Sequence, residues 1–254
     1  MKILLLPILF FAASLLSGAS DFEKGAAYYK NRHEGAQGIK ASTENIDKAI
    51  HHFQKAIKEP AFELESAVYL LQCYYYKAEF AIQDIAEKKR IFNDGKALGS
   101  QYIELYPENV KFRYWYLVNL GSWAQVYGIL TAAREGVADQ MKTHSEKIIE
   151  LDAAYQDGGG YFMLGAVHYK SPYIPFILSW PDNDDAIKYL QKAHDTGTAT
   201  LNQKNYLAQA LYKDGEKDKA KQLLNEVIGS DPLPENLVEE LDDIREAKEI
   251  LAGY

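Results

Sequence analysis

The sequence contains residue types that could bind a metal ion, and their spacing is the first test of that chemistry. A histidine-based zinc site typically shows His-Glu-x-x-His spacing or has cysteines near its histidines, and neither pattern occurs. His51 and His52 are adjacent, so on a helix their side chains would point about 100° apart. We therefore expect no metal ion, and we expect His168 to be a packed core residue. The six histidines are His33, His51, His52, His144, His168 and His194.

Three aspartates, Asp182, Asp184 and Asp185, could suggest a calcium loop. Such a loop needs a glycine at its sixth position and a glutamate at its twelfth, and Ile187 and Ala193 stand there instead. Carboxylates at the start of a helix also accept hydrogen bonds from free backbone amides and oppose the helix dipole. We therefore predict that these aspartates cap a helix.

A run of three glycines, 158–160, could hold a phosphate group. No strand is predicted before the run and no Lys-Ser/Thr pair follows Gly165, so both nucleotide-binding fingerprints fail. A turn that lets helices pack closely is the favoured interpretation, with anion binding at a helix start as the alternative. No serine-hydrolase elbow or kinase motif occurs either. We predict no cofactor and a non-catalytic protein; the alternative is an enzyme whose site is assembled from distant residues without a motif.

An aromatic, proline-rich segment is the strongest candidate for recognition. Residues 170–182 contain three prolines, which prevent a regular helix, so the segment must be a shaped loop. Two interpretations are open: the loop fills the core, or it presents a binding patch that is exposed or lines a cavity. We take Tyr169, Tyr173, Phe176 and Trp180 as the candidate binding residues. The large apolar residues here are Tyr169, Tyr173, Ile174, Phe176, Ile177, Leu178 and Trp180.

Helices must position these residues, because apolar side chains recur at three- and four-residue spacing and no stretch alternates with period two. Capping residues and helix breakers indicate about eleven helices, which form five antiparallel pairs and a terminal helix. We expect the acidic face of the terminal helix to meet water, as the end of a repeat array requires. The predicted ranges are 21–31, 44–58, 62–80, 83–105, 109–133, 136–151, 158–170, 183–195, 200–213, 216–229 and 235–251.

The last pair of helices shows how the array repeats. With Leu201 as position one, every offset of the 34-residue tetratricopeptide pattern is met without a gap. Gly215 falls in the turn between two helices and Pro232 ends the second. We predict an all-α, tetratricopeptide-like superhelix or ring that forms one domain over residues 20–254. The matching residues are Leu207, Ala208, Leu211, Ala220, Leu224 and Val227. The alanine-based spacing of the second helix recurs at Ala49, Phe53 and Ala56 and at Ala186, Leu190 and Ala193.

The N-terminal pattern predicts a secretory signal over residues 1–19. Lys2 precedes an apolar run, 3–16, that is shorter than the roughly 20 residues of a membrane span. A retained anchor is the alternative. Residues 16–18 match a bacterial lipobox, but Ala19 stands where lipidation needs cysteine. We therefore expect a free periplasmic protein without a transmembrane span in its mature part.

Composition narrows the choice of partners. The chain has 28 basic and 36 acidic side chains, a formal charge of −8, which argues against nucleic acid or an anionic lipid surface. Cys73 is the single cysteine, so an intrachain disulfide is excluded. It lies in an apolar helical run, where we expect a buried, inert thiol.

The chain resembles the T-component (TatT) family of tripartite ATP-independent periplasmic (TRAP) transporters. The resemblance depends on residues 157–165, the insertion 170–182, and the helical stretches 183–193 and 205–211. It implies a periplasmic helical-repeat protein that associates with a substrate-binding protein, can form oligomers, and helps to pass a hydrophobic ligand. Family members are commonly lipoproteins, and Ala19 departs from that pattern.

Two functions remain in competition. The first is a periplasmic adaptor similar to a TRAP T-component, which binds a solute-binding protein and a small hydrophobic ligand. The second is a general tetratricopeptide scaffold for assembly of envelope proteins. A continuous apolar channel on the concave face would favour the first, and a polar groove the second.

Overall fold

The computed structural model describes residues 18–174, 176, 178–196 and 199–254. Residues 1–17 of the predicted signal lie outside this description. The described part is built from α-helices and contains no β-strand, so the predicted all-α class is confirmed. Helices that are consecutive along the chain pack against each other, with α5 reaching α7 past the short α6.

The structure has twelve α-helices in the described residues. They are α1 Asp21–Lys30, α2 Thr43–Ala56, α3 Glu63–Tyr76, α4 Ile85–Leu105, α5 Val110–Tyr127, α6 Ile129–Arg134, α7 Val137–Asp152, α8 Tyr155–Lys170, α9 Asn183–Asp195, α10 Leu201–Asp214, α11 Lys217–Ile228 and α12 Leu237–Ala252. A π-helical turn, Lys77–Ala81, follows α3, and a 3-10 turn, Pro234–Asn236, precedes α12.

One more helix is present than predicted, because the range 109–133 is divided. Gly128 takes a positive φ of 86° between α5 and α6, a conformation that a helix does not contain. Its N–H still bonds to the carbonyl of Ala124, and its own carbonyl accepts from Ala132 in the next helix. Three-residue periodicity continues across such a kink, so the sequence pattern alone does not reveal it.

The glycine run at the start of α8 serves packing, as predicted. Gly158 has a φ of 75° and follows two other left-handed residues, Gln156 and Asp157. At Gly160 an added Cβ would lie 2.8 Å from a methyl group of Ile148. The backbone of α8 therefore approaches α7 more closely than a side chain would allow.

The predicted repeat register is confirmed by burial. Every residue assigned to the 34-residue pattern is buried where α10 and α11 pack together. Gly215 ends α10 with a φ of 97°, the left-handed conformation expected of a glycine cap. The residues of α2 and α9 that have the same alanine-based spacing are also buried. Small residues at these positions let neighbouring helices approach, and the large ones fill the groove between them.

Side chains at the start of α12 contact the N-terminal part of the array. The guanidinium of Arg32 donates to Glu239 Oε1 from Nη2 at 2.6 Å and from Nε at 3.0 Å, and to Asn236 Oδ1 at 3.1 Å. The same group lies 4.6 Å from the ring centre of Tyr29 and 5.1 Å from that of Tyr76. We call these five residues the clasp. The clasp therefore links side chains from the two ends of the array.

The acidic residues of the terminal helix meet water only in part. Val238, at the start of α12, is buried in the N-terminal core cluster. Glu239, Asp243 and Glu246 share a different side of the helix and are partly buried. The face of α12 that meets solvent is charged, and its exposed residues are Arg245, Lys248, Glu249 and Ala252.

Candidate binding surfaces

The insertion forms a small hairpin between α8 and α9. Ile174 and Leu178 exchange two backbone hydrogen bonds of 2.8 Å. Phe176 lies between them with a φ of 66° and a side chain exposed to 104% of its reference area. Tyr173 is 63% exposed. The tip of the insertion therefore presents two aromatic rings to solvent.

The base of the insertion is fixed to the helices below it. Leu178 is buried, and Trp180 is half-buried with its indole N–H donating to Asp139 Oδ1 at 2.8 Å. The Trp180 ring also lies 4.9 Å from the ring of His168 and 4.8 Å from Lys142 Nζ. These contacts to α7 and α8 hold the base in place.

His168 is a packed core residue, as predicted. Burial lowers its pKa, so the neutral ring predominates near pH 7. Its Nδ1 accepts a hydrogen bond from the backbone N–H of Asp182 at 3.2 Å. The Asp182 side chain in turn caps α9 by accepting from Asp184 N at 2.9 Å and Asp185 N at 3.1 Å. Asp182 is therefore the helix cap, and Asp184 and Asp185 lie in the first turn of α9. The described residues hold no cluster of ligands that would suit a metal ion.

The four predicted binding residues do not form one patch. Tyr173 and Phe176 are at the exposed tip, and Trp180 belongs to the base. Tyr169 points away from both, toward α10: its ring is 6.4 Å from that of Tyr206, and its hydroxyl lies 3.5 Å from Gln209 Oε1. The tip of the insertion thus fits the interpretation as a binding patch, and its base fits the interpretation as core filler. Pro175 and Ile177 lie outside the described residues.

A second group of titratable residues comes from three parts of the array. Tyr75 and Glu79 come from α3 and the π-helical turn, Tyr206 from α10, and Asp243 and Glu246 from α12; all five are half-buried. Burial raises the pKa values of Tyr75 and Tyr206, and the charges of Glu79 and Asp243 raise both further. Both tyrosines are therefore in acidic surroundings. We call these five residues the inner cluster.

The carboxyl groups of the inner cluster ionise less readily than usual. Burial raises the pKa of Asp243 to about 7 although Asn202 Nδ2 donates to its Oδ1 at 2.9 Å. Burial also raises the pKa values of Glu79 and Glu246. Each group is largely surrounded by protein, and the loss of solvation disfavours its charged form.

Aromatic rings line the same region. The rings of Phe162 and Tyr206 meet edge to face at 5.2 Å. Lys170 Nζ lies 4.9 Å from the ring centre of Tyr206 and 5.4 Å from that of Tyr169. This region thus contains aromatic rings as well as partly buried carboxyl groups. The sequence pattern did not predict this group of residues, although positions 239, 243 and 246 share one face of a helix.

Comparison with known proteins supports the fold class. No protein-family model matches the chain, and no curated protein matches it. Among solved structures, it is similar to the crystal structure of a thermophilic TPR protein of Thermus thermophilus, with a TM-score of 0.61 and 15% sequence identity. The match covers 91% of this chain and 97% of that chain. The chain therefore has a tetratricopeptide-like fold. Within the described part, none of the helices has the length and apolar character that crossing a membrane requires.

Proposed function

We propose that this protein is an exported, non-catalytic adaptor, similar to the T-component of a TRAP transporter, that binds a periplasmic solute-binding protein. The observation that carries the proposal is the insertion: an exposed aromatic tip on a base that is fixed to α7 and α8. Interfaces are commonly dominated by a few aromatic residues that enter a pocket on the partner.

The geometry of the insertion suits a protein partner. Burying the fully exposed ring of Phe176 would contribute about 1.5–3 kcal/mol, with Tyr173 adding to it. Because the hydrogen bond from Trp180 and the backbone pairing already hold the hairpin, little further ordering is required on binding. The negative net charge gives no support to a nucleic-acid partner.

Export is proposed from the predicted signal, and the first helix is consistent with it. Ser20 is the cap of α1: its hydroxyl accepts from Glu23 N at 3.2 Å, and the Glu23 carboxylate accepts from Ser20 N at 2.8 Å. Cleavage after Ala19 would leave this capping box intact. Intact-mass analysis of the protein from a periplasmic fraction tests the point, and a mature chain that still carried residues 1–19 would contradict it.

The test of the adaptor role is affinity capture of the native periplasmic protein with crosslinking and mass spectrometry. We expect a solute-binding protein to be captured, and we expect Phe176→Ala and Tyr173→Ala to lose it. Leu105→Ala is the matched control, because Leu105 is a 58% exposed apolar residue on α4, outside the insertion. If the control variant loses the partner as readily as Phe176→Ala, the insertion is not the docking surface.

The alternative, a general scaffold for envelope proteins, is favoured by one observation. The inner cluster is acidic and aromatic, and a polar surface suits a peptide or protein segment better than a purely hydrophobic ligand. Capture of cell-wall or envelope-assembly proteins without a solute-binding protein would support this alternative and contradict the transporter role.

A further inference from the structure

His168 is buried where the base of the insertion joins α9. Only 6% of the residue is exposed to solvent. Its ring meets the ring of Trp180 edge to face at 4.9 Å, and it lies 5.7 Å from the ring of Tyr189 on α9. A change in the charge of the His168 ring would therefore act directly on the residues that hold the insertion in place.

One hydrogen bond fixes the protonation state of this ring. The backbone N–H of Asp182 donates to His168 Nδ1, with 3.2 Å between the two nitrogen atoms. A backbone amide can only donate, so Nδ1 carries a lone pair and the proton of the neutral ring is on Nε2. Protonation of Nδ1 would place two N–H groups against each other and end this hydrogen bond.

The charged groups around His168 do not offset the cost of a buried positive charge. The carboxylates of Asp182 and Asp185 favour protonation of the ring. Lys142 on α7 and Lys188 on α9 oppose it. Both carboxylates also have other partners, because Asp182 accepts from two amides in the first turn of α9 and Asp185 pairs with Lys188 at 2.9 Å. Burial is therefore the dominant effect, and it lowers the pKa of His168.

The rest of the base is held by contacts that separate without breaking a helix. Trp180 donates to Asp139 Oδ1 at 2.8 Å, its ring lies 4.8 Å from Lys142 Nζ, and Leu178 is buried beside it along the chain. If these contacts open, His168 meets water, where a histidine takes up a proton near pH 6.5. Acid therefore favours the opened base, because the ring is protonated more readily there than in the closed one.

We propose that His168 is a pH-sensitive switch for the insertion: the neutral ring holds the base closed, and its protonation opens the base. In acid, the tip with Tyr173 and Phe176 is then no longer presented on a fixed base, and docking of a partner weakens. That consequence rests on the proposed function. The switch itself is a property of the isolated chain and is tested without a partner.

The experiment is an NMR titration of the nitrogen-15-labelled mature chain, residues 20–254, from pH 7.5 to pH 5. Aspartates stay largely ionised over this range, since their pKa values are usually about 3.9. The backbone amide of Asp182 and the indole N–H of Trp180 should titrate with one midpoint, equal to that of the His168 ring and below the usual histidine value of about 6.5. The protection of the Asp182 amide against hydrogen exchange, corrected for the intrinsic rate, should fall at least about threefold, because the opened base binds the proton more tightly.

His168→Gln removes the titration but keeps an acceptor, because the side-chain carbonyl of glutamine accepts from the Asp182 N–H and binds no proton in this range. The changes at Asp182 should disappear in this variant. His194→Gln is the matched control, since His194 is a partly exposed histidine at the opposite end of α9, 3.3 Å from Asp195. It should titrate at Asp182 as the native chain does.

Three results would overturn the inference: an Asp182 amide that does not titrate above pH 5, an equal loss of its protection in His168→Gln, or abolition of the change by His194→Gln. The native chain gives the first result by itself, so the test holds even if His168→Gln does not fold. Partner capture near pH 7.5 is a separate measurement, so failure of the switch leaves the adaptor proposal standing, and the reverse is also true.

Discussion

The clasp predicts how strongly the two ends of the array are held together. Arg32→Met keeps most of the side-chain stem but removes the charge that pairs with Glu239. The Arg32 side chain is only 7% exposed and that of Glu239 is 23% exposed, so the substitution leaves a carboxylate largely desolvated without its partner. Breaking a buried pair in this way costs about 3–5 kcal/mol, and the partial exposure of Glu239 places the expected loss near the lower end, about 3 kcal/mol.

The loss should be concentrated in α12, because the clasp is what joins this helix to the N-terminal helices. Hydrogen–deuterium exchange resolved to peptides measures this directly, and we expect faster exchange over residues 237–252 than over α10 or α11. Urea unfolding followed by circular dichroism gives the overall loss. The double variant Arg32→Met with Glu239→Gln should recover part of the stability, since the unpaired charge is then gone.

The matched control is Arg245→Met, on the same helix. Arg245 pairs with Asp242 and Glu249 at the exposed surface, and such pairs contribute about 0–1 kcal/mol. The reasoning is refuted if Arg32→Met leaves exchange over 237–252 unchanged, or if Arg245→Met destabilises the protein as strongly.

Three further predictions concern the inner cluster, the insertion and the glycine contacts. Burial raises the pKa of Asp243 to about 7, whereas an aspartate of the unfolded chain releases its proton near pH 4. The free energy of unfolding should therefore fall as pH rises from about 4 to 7, because only the folded state still holds this proton. Urea titrations at pH 5 and pH 8 should show a smaller difference for Asp243→Asn than for the native chain; an equal difference would contradict this. Phe176→Ala should change the free energy of unfolding by less than about 0.5 kcal/mol, because the ring is fully exposed. Trp180→Ala should lower the free energy of unfolding by about 2–3 kcal/mol, somewhat less than truncation of a fully buried aromatic residue does. Equal losses in Phe176→Ala and Trp180→Ala would show that the tip and the base are not distinct. Gly165→Ala should cost about 1–3 kcal/mol in thermal unfolding, since its Cβ would lie 2.6 Å from Leu190 Cγ; no loss would mean that α8 and α9 separate freely.

Local elements were largely predictable from the sequence. Helix ranges follow from three- and four-residue spacing and from caps, as in α9, where Asp182 accepts from two amides of the first turn. The repeat register around Leu201 was predictable because each position depends on neighbours within one helix pair. The break at Gly128 was not, because periodicity continues through it.

The candidate sites were likewise predictable from the sequence only where they depend on local features. That the insertion had to leave the helical pattern followed from its prolines. Which aromatic rings are exposed depended on contacts with α7, over forty residues away along the chain, such as the bond between Trp180 and Asp139. Tyr169 lies apart from the tip because it faces α10, a neighbour that lies about forty positions later.

The sequence by itself determined the all-α class, the pairing of helices and the place where the repeat is interrupted, because those features arise from local spacing and backbone restrictions. The tertiary structure decided that Arg32 and Glu239, 207 residues apart, pair with each other. It also decided that Glu79, Tyr206 and Asp243, which belong to separate elements, are partly buried. Burial, and with it the raised pKa of Asp243, exists only once these distant helices have met.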